Sequence, residues 1–366
     1  MRFHDSESQK MLRDTTRSYL RDKYPWERLY ALESGNEQFT GEDLRSLADL
    51  GWLALVAPEA SGGGGASLLE AAVVIDECGY AAVPAPVAVS NIAAYALSQS
   101  KATGVGEHLQ QLAAGQRLYT VSDTSREFGA NGCGIAATKG LVTGSISLVA
   151  FGANADYLLA PLEIDGQPAV VLLPLEGARR EPVELLDRPT DANVQFDGLP
   201  LDACVMLADG ADAKQLHARC DALTTAWSTI QLAGMLTRVT EMTGEYISNR
   251  VQFGQPIAKF QAARHHAADL LMLAESTRWT AYHALWRLEY DPSDTPEVWM
   301  ARHWAIRAAQ QTFEITHLLH GGIGVGLEYP LHLYTQGLAA TASRSGTMNE
   351  MVARTLHSLA LEPLSA

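Results

Sequence analysis

The stretch RVQFGQPIAKFQAARHHAADL, Arg250 to Leu270, decides how the chain is read. An arginine ends one helical run, an aromatic-glycine pair turns the chain, and a proline precedes the next run. That arrangement sets a guanidinium beside exposed backbone. It suits a pyrophosphate, because arginine can offer two parallel N–H donors to phosphate oxygens. A surface arginine followed by a tight turn is the other reading of the same residues. His265 and His266 lie on the following helix, with Asp269 one turn on. No third and fourth ligand follow at useful spacing, so packing or solvent contact is the reading and no metal is expected.

Upstream of Arg250, the run TTAWSTIQLAGMLTRVTEMTGEYISN puts Leu232, Leu236, Val239, Met242 and Tyr246 on one helical face. Downstream, Thr295-Pro296-Glu297 supplies an N-cap, an N1 proline and a first-turn acid for a helix running to Leu319. Gly321-Gly322 ends it. At the other end of the chain, SESQKMLRDTTRSYLRDKY repeats Met11, Leu12, Thr16, Tyr19 and Leu20 at roughly helical spacing, with Ser6 as N-cap. A second helical run, GEDLRSLADLGWLALV, leads into Gly62–Gly65. These glycines invite a phosphate-loop reading, but Ala66-Ser67 stands where Gly-Lys-Ser/Thr is required. A flexible turn between helices is expected.

Between these helical regions the period changes. IAATKGLVTG, YLLAPLEIDGQPAVVLLPL and ANVQFDGLPL are short β-branched or aliphatic runs, with hairpin signals at Lys139-Gly140 and Asp165-Gly166. ADGADAKQ, 208–215, reads as the linker out. The expected fold is therefore α+β and mainly α. A helical domain spans 1–116, an antiparallel β domain 117–209, and a helical bundle with the oligomer interface 210–366. The order is neither a Rossmann nor a barrel pattern.

Composition removes several function classes. Of 366 residues, 47% are apolar and 19% charged, enough for a full core, and the formal net charge is −15. So acidic a surface repels phosphate backbones and anionic lipid, so neither nucleic acid nor a membrane is an expected partner. No stretch reaches the roughly 18 unbroken apolar residues of a spanning helix. MRFHDSESQK has no apolar signal core, and a cytoplasmic location is expected. Cys78, Cys133, Cys204 and Cys220 lack paired spacing and read as reduced and structural.

Four stretches together resemble one family. Arg250–Leu270 is similar to the signature of acyl-CoA dehydrogenases, and HGGIGVGLEYP (320–330) to that family's glycine-rich turn and Glu-Tyr-Pro. LGWLALVAPEASGGGGASLLEAAVVIDECG (50–79) resembles its N-terminal helices, and FDGLPLDACVM (196–206) the close of its β domain. The likeness covers nearly the whole chain in the right order. It implies the acyl-CoA dehydrogenase fold with its C-terminal four-helix bundle, an acyl-CoA substrate, FAD, and electron-transfer flavoprotein as a partner. It also implies that Arg250, Phe253, Gln261, Gly321, Gly322 and Thr347 contact the cofactor.

The departures from the family pattern are equally specific. Many members end the loop after Glu-Tyr-Pro in Tyr-Glu-Gly-Thr, whose glutamate removes the α-proton of the thioester. Here Arg344-Ser345-Gly346-Thr347 takes that place, and a serine hydroxyl is far too weak a base. Other members carry the base on the helix before the arginine motif. ARCDALTTAWS (218–228) offers no glutamate there, only Asp221 out of register. LYTVSDTSREFGANGCG (118–134) keeps neither Thr-Glu-Pro nor Gly-Ser-Asp, and Leu148-Val149-Ala150 replaces the stretch that backs the flavin. Leu318 stands at the usual glutamine. In this family the arginine motif and glycine turn serve the FAD whose flavin ring lies in the neighbouring subunit. Those parts are kept, and the parts a subunit uses for itself are not.

The resemblance therefore implies the smaller, base-lacking subunit of a heteromeric, heterotetrameric acyl-CoA dehydrogenase of the bacterial steroid side-chain type. It would act as an oxidoreductase on CH–CH groups only with a homologous catalytic subunit, sharing FAD. Two alternatives stay open. One is an active homo-oligomer using Asp221 as base; the other is a catalytically silent acyl-CoA-binding or protein-binding module.

Overall fold

The computed structural model describes residues 4–123, 128, 131–185, 190–291, 296–344 and 346–360. Helices α1 (Glu7–Lys23), α2 (Trp26–Glu33), α3 (Gly41–Asp49), α4 (Leu68–Tyr80), α5 (Val87–Gln99) and α6 (Val105–Ala113) come first. Strands β1 (Tyr119–Val121), β2 (Ile135–Thr138), β3 (Leu141–Val149), β4 (Tyr157–Ile164), β5 (Gln167–Pro174), β6 (Arg179–Pro182), β7 (Ala192–Pro200) and β8 (Val205–Asp209) follow. The long helix α7 (Gly210–Asn249) leads to a short pair, β9 (Val251–Gln252) and β10 (Gln255–Pro256). Helices α8 (Gln261–Tyr290), α9 (Pro296–His320), α10 (Leu331–Ser343) and α11 (Met348–Ser358) complete the order. The chain is α+β and mainly helical, as the sequence indicated. It forms two compact units: Met1–Glu37, Ala72–Pro84 and Thr225–Ala366 in the first, Gln38–Ala71 and Ala85–Thr224 in the second.

In the second unit the strands lie in the order β6-β7-β3-β2-β4-β5-β8, with β1 also on β4. The β2–β3 and β4–β5 hairpins turn where expected. Lys139 and Gly140 have φ of 53° and 77°, and Asp165 and Gly166 have 48° and 83°. Positive φ at both central residues is the type I′ geometry, whose twist matches that of paired strands. The expected antiparallel sheet needs one correction, because β1 and β2 both run parallel to β4. The β2–β3 hairpin lies inside the connection from β1 to β4, so β4 re-enters in the direction of β1. β1 takes the start of β4 and β2 its end. The helices of this unit are tied by Asn91, fully buried, whose amide donates to the carbonyls of Trp52 and Val87, each at 2.8 Å.

Two local expectations are also corrected here. The Gly62–Gly65 turn is not flexible. Its four N–H groups donate to the carbonyls of Glu59, Pro58, Ala54 and Ala57, and a Cβ on Gly63 would lie under 3.0 Å from Ala57. With those donors used internally, none is left to cradle a phosphate. Nor is 208–215 a linker. β8 reaches Asp209 and α7 starts at Gly210, with Asp212 in its first turn favouring the helix dipole.

In the first unit, Ser6 caps α1 through a capping box with Gln9. The buried stripe of α1 differs from the apolar spacing: it is Arg13, Thr16 and Leu20, while Met11 is 70% exposed. The cause is Asp76-Glu77, set inside the apolar run of α4. Arg13 donates to Asp76 at 2.8 Å, to Glu77 at 2.7 Å and to Asp5 at 2.8 Å. Arg17 adds a bond to Glu77 at 2.7 Å, and Arg278 lies 3.4 Å from Asp76. Burial works against the Arg13 cation, and Asp76 with its neighbours reverses that, holding the guanidinium's pKa above its usual value. Breaking such a buried pair by removing one partner costs about 3–5 kcal/mol.

α7 buries Leu232, Leu236, Val239 and Met242, as their spacing indicated. Its end packs on α8 and α9 through Ile247, Ala263, Leu270 and Leu319. Among the described residues no helix is long and apolar enough to cross a membrane.

Candidate functional site

The first unit gathers most of the residues singled out from the sequence. α7 ends at Asn249, and the Arg250 N–H still donates to the Tyr246 carbonyl at 2.8 Å. The chain then makes a two-strand ribbon, Val251 pairing with Pro256 and Gln252 with Gln255. Phe253 and Gly254 turn it, with φ of 52° and 80°. A phenylalanine in the left-handed region is strained by its Cβ. The ring stands in solvent: Phe253 is 92% exposed, with Phe260 edge-on to it. The N–H of Ile257 returns to the Arg250 carbonyl at 2.9 Å and closes the ribbon. Gln261 is the first residue of α8 and is exposed.

Arg250 opens onto a shallow depression lined also by Glu245, Tyr246, Asn249 and Tyr329. The arginine motif and the Glu-Tyr-Pro segment thus meet, as separate stretches of sequence do not foretell. Beneath them Tyr246 stacks on His320 with ring centroids 4.4 Å apart, and Tyr329 tilts against His320 at 5.3 Å. His320 is buried. Its Nδ1 lies 2.9 Å from the Thr316 carbonyl, which fixes the proton there, and among the described residues Nε2 has no hydrogen-bond partner. Burial, partly offset by the bond to Thr316 and reinforced by His317, holds His320 below the usual imidazole range.

Gly321 follows α9 with φ of 60°, the left-handed residue that ends a helix, and opens the 3-10 turn Gly321–Val325. Gly322 differs. It has ordinary φ, and a Cβ built on it meets nothing within 4 Å. The chain's own packing gives no reason for glycine there. Leu318, Val325 and Leu327 around this turn are 67%, 70% and 55% exposed.

Thr347 is the N-cap of α11, its hydroxyl accepting from the Glu350 N–H at 3.3 Å while Glu350 accepts from the Thr347 N–H. Ser345 lies outside the described residues. Asp221 belongs to the second unit, half-buried on α7. His266 and Asp269 approach only to 4.0 Å, and among the described residues no three His, Cys, Asp or Glu side chains converge as metal ligands.

Two groups escaped the sequence reading. The Tyr246–His320–Tyr329 cluster joins segments far apart in the chain and carries no local signal. Arg302 did carry one: it occupies a core position of α9 with Val298, Ala305 and Ala309, where an apolar residue belongs.

The residues present fit a phosphate-bearing cofactor. The Arg250 guanidinium makes no hydrogen bond or ion pair among the described residues, so its donors are uncommitted. The open face of Gly322, two residues past the end of α9, admits close approach to backbone.

Residues 6–115 match the family described as acyl-CoA dehydrogenase, N-terminal domain, and residues 225–357 the acyl-CoA dehydrogenase C-terminal domain. The chain is similar to acyl-CoA dehydrogenase FadE27 of Mycobacterium tuberculosis, 30% identical over 83% of this chain and 84% of that one. Among solved structures it is similar to the ChsE4-ChsE5 complex from Mycobacterium tuberculosis, with 28% identity, a TM-score of 0.87, and coverage of 99% of this chain and 100% of that one. A variant of the Tcur3481-Tcur3483 steroid ACAD has 26% identity and a TM-score of 0.85, with 97% and 98% covered. This chain belongs to the acyl-CoA dehydrogenase family.

Proposed function

We propose that the chain is the base-lacking subunit of a heteromeric, FAD-dependent acyl-CoA dehydrogenase, supplying cofactor contacts to a homologous catalytic subunit. The observation that carries the proposal is Arg250: an uncommitted guanidinium at a helix end, beside a ribbon whose turn residue Phe253 stands in solvent with a positive φ. Such a feature serves something outside the chain. The likeness to the ChsE4-ChsE5 complex and to the Tcur3481-Tcur3483 steroid ACAD favours a homologous partner and a bulky acyl-CoA.

In this reading bound FAD would supply the hydride acceptor for the acyl thioester. The residues here bind and orient. Arg250 would hold the pyrophosphate with paired donors, Gly321 and Gly322 would let backbone approach the adenosine end, and Phe253, Gln261 and Thr347 would complete the surface. Ser345 does not remove the α-proton; the partner supplies that base. Electron-transfer flavoprotein is the proposed acceptor. Segments 1–116, 117–209 and 210–366 are the proposed functional divisions, and the cytoplasm the proposed location.

The test is to purify the chain alone and together with its homologous partner. The proposal expects a colourless, inactive protein alone and a yellow complex that oxidises acyl-CoA. Turnover by the isolated chain would instead favour the homo-oligomer with Asp221 as base.

A further inference from the structure

The depression at the end of α7 holds opposite charges that do not pair. Glu245 and Arg250 both line it, together with Tyr329. Among the described residues Arg250 makes no ion pair, and the one cation within 4 Å of Glu245 is Arg238. Its Nη1 stands 3.9 Å from the Glu245 Oε1, beyond hydrogen-bond reach, and lies closer to Glu241, at 3.5 Å.

The helix gives no local reason for a carboxylate at this position. Glu241 is one turn upstream, a spacing at which like charges repel, and the negative end of α7 is one turn ahead. Cation and carboxylate therefore both keep bonding capacity on the same surface. A group that uses both carries an anion with hydroxyl donors beside it. Adenosine diphosphate has that pattern, its pyrophosphate being the anion and its ribose hydroxyls the donors. A carboxylate so placed accepts from free ribose hydroxyls, as an acidic side chain does in dinucleotide sites, and it repels a ribose that is itself phosphorylated.

We propose that Glu245 is a specificity-determining residue, which selects the adenosine diphosphate half of FAD over that of coenzyme A by accepting from free ribose hydroxyls and repelling a 3′-phosphate. This rests on the assignment of Arg250 to the pyrophosphate. An acyl-CoA dehydrogenase meets both molecules, and Arg250 alone does not tell their pyrophosphates apart. The Tyr329 phenol adds a donor on the same surface: burial, with the Glu245 charge adding to it, raises its pKa and keeps it protonated.

The test uses the assembled complex, stripped of flavin and refilled with FAD against two competitors, ADP and 3′-phosphoadenosine 5′-diphosphate. Flavin fluorescence reads the bound fraction. In the wild type the 3′-phosphorylated competitor should be weaker than ADP by about tenfold or more, as like charges brought together require. Glu245→Gln keeps an acceptor and removes the charge, so the two competitors should come within about threefold of each other. The side chain is 68% exposed, so the fold does not depend on it. Arg250→Ala should weaken both competitors and leave their ratio as in the wild type. A wild type that takes both competitors alike, or a ratio that Glu245→Gln leaves unchanged, overturns the inference. Competition by neither nucleotide, or competition that Arg250→Ala leaves at full strength, overturns the assignment of Arg250 instead.

Discussion

Gly234 of α7 lies against the main-chain carbonyl of Asp76 in α4, and a Cβ there would come closer than 3.0 Å to that oxygen. Gly79 stands in the same relation to the Gln231 carbonyl, so the two helices cross backbone to backbone. Neither obstacle is the tip of a flexible side chain. Gly234→Ala should therefore push the helices apart despite alanine's better helix propensity, a net loss of about 1–3 kcal/mol. Denaturant midpoints of the isolated chain measure it. An unchanged or raised midpoint would mean the crossing yields easily.

His320 gives a pH dependence. Its folded pKa lies below 6.5, so the unfolded chain takes up the proton first as pH falls. Stability is then full above the unfolded value and is lost as pH drops below it, by up to about 1.4 kcal/mol per pH unit for one proton. His317 and His108 shift the same way, each through burial. Urea midpoints at about pH 7.5 and pH 5.5 should differ less in His320→Gln than in the wild-type chain. Equal differences would mean that His320 is not held neutral.

Arg250→Ala tests the cofactor contact. A charge-assisted bidentate pair is worth about 1.5–3 kcal/mol, roughly ten- to hundredfold in affinity. Flavin occupancy of the assembled complex should fall accordingly. The thermal midpoint of the chain should hold, because the side chain is exposed. Full occupancy in the variant would place the pyrophosphate elsewhere.

Much of the fold is legible in the sequence, for physical reasons that differ by element. The Lys139-Gly140 and Asp165-Gly166 hairpins can be read because type I′ turns demand residues that tolerate positive φ. The face of α7 can be read because its apolar spacing matches its burial. In α1 the spacing misleads at Met11, since the partners of Arg13 lie some sixty residues away at Asp76 and Glu77. Spacing says nothing about long-range ion pairs. The parallel strands of β4 are hidden similarly, as direction depends on how the whole connection returns. At the site, Arg250 and the glycine turn have motif signals, but their meeting through Tyr329 is tertiary. Arg302 is visible only as a charge in an apolar stripe.

Ser345→Ala addresses the base directly. In the assembled complex, turnover should stay within a few-fold of wild type, because a hydroxyl at that position removes no proton. A loss of about a thousandfold, the scale on which general bases act, would return the chemistry to this loop.

The central claim is that this chain supplies contacts to a cofactor whose chemistry belongs to its partner. Counting flavin in the intact assembly by native mass spectrometry tests it most directly. One FAD for each pair of unlike subunits is expected, and none on the isolated chain. One FAD on every chain, including the isolated homo-oligomer, would contradict it.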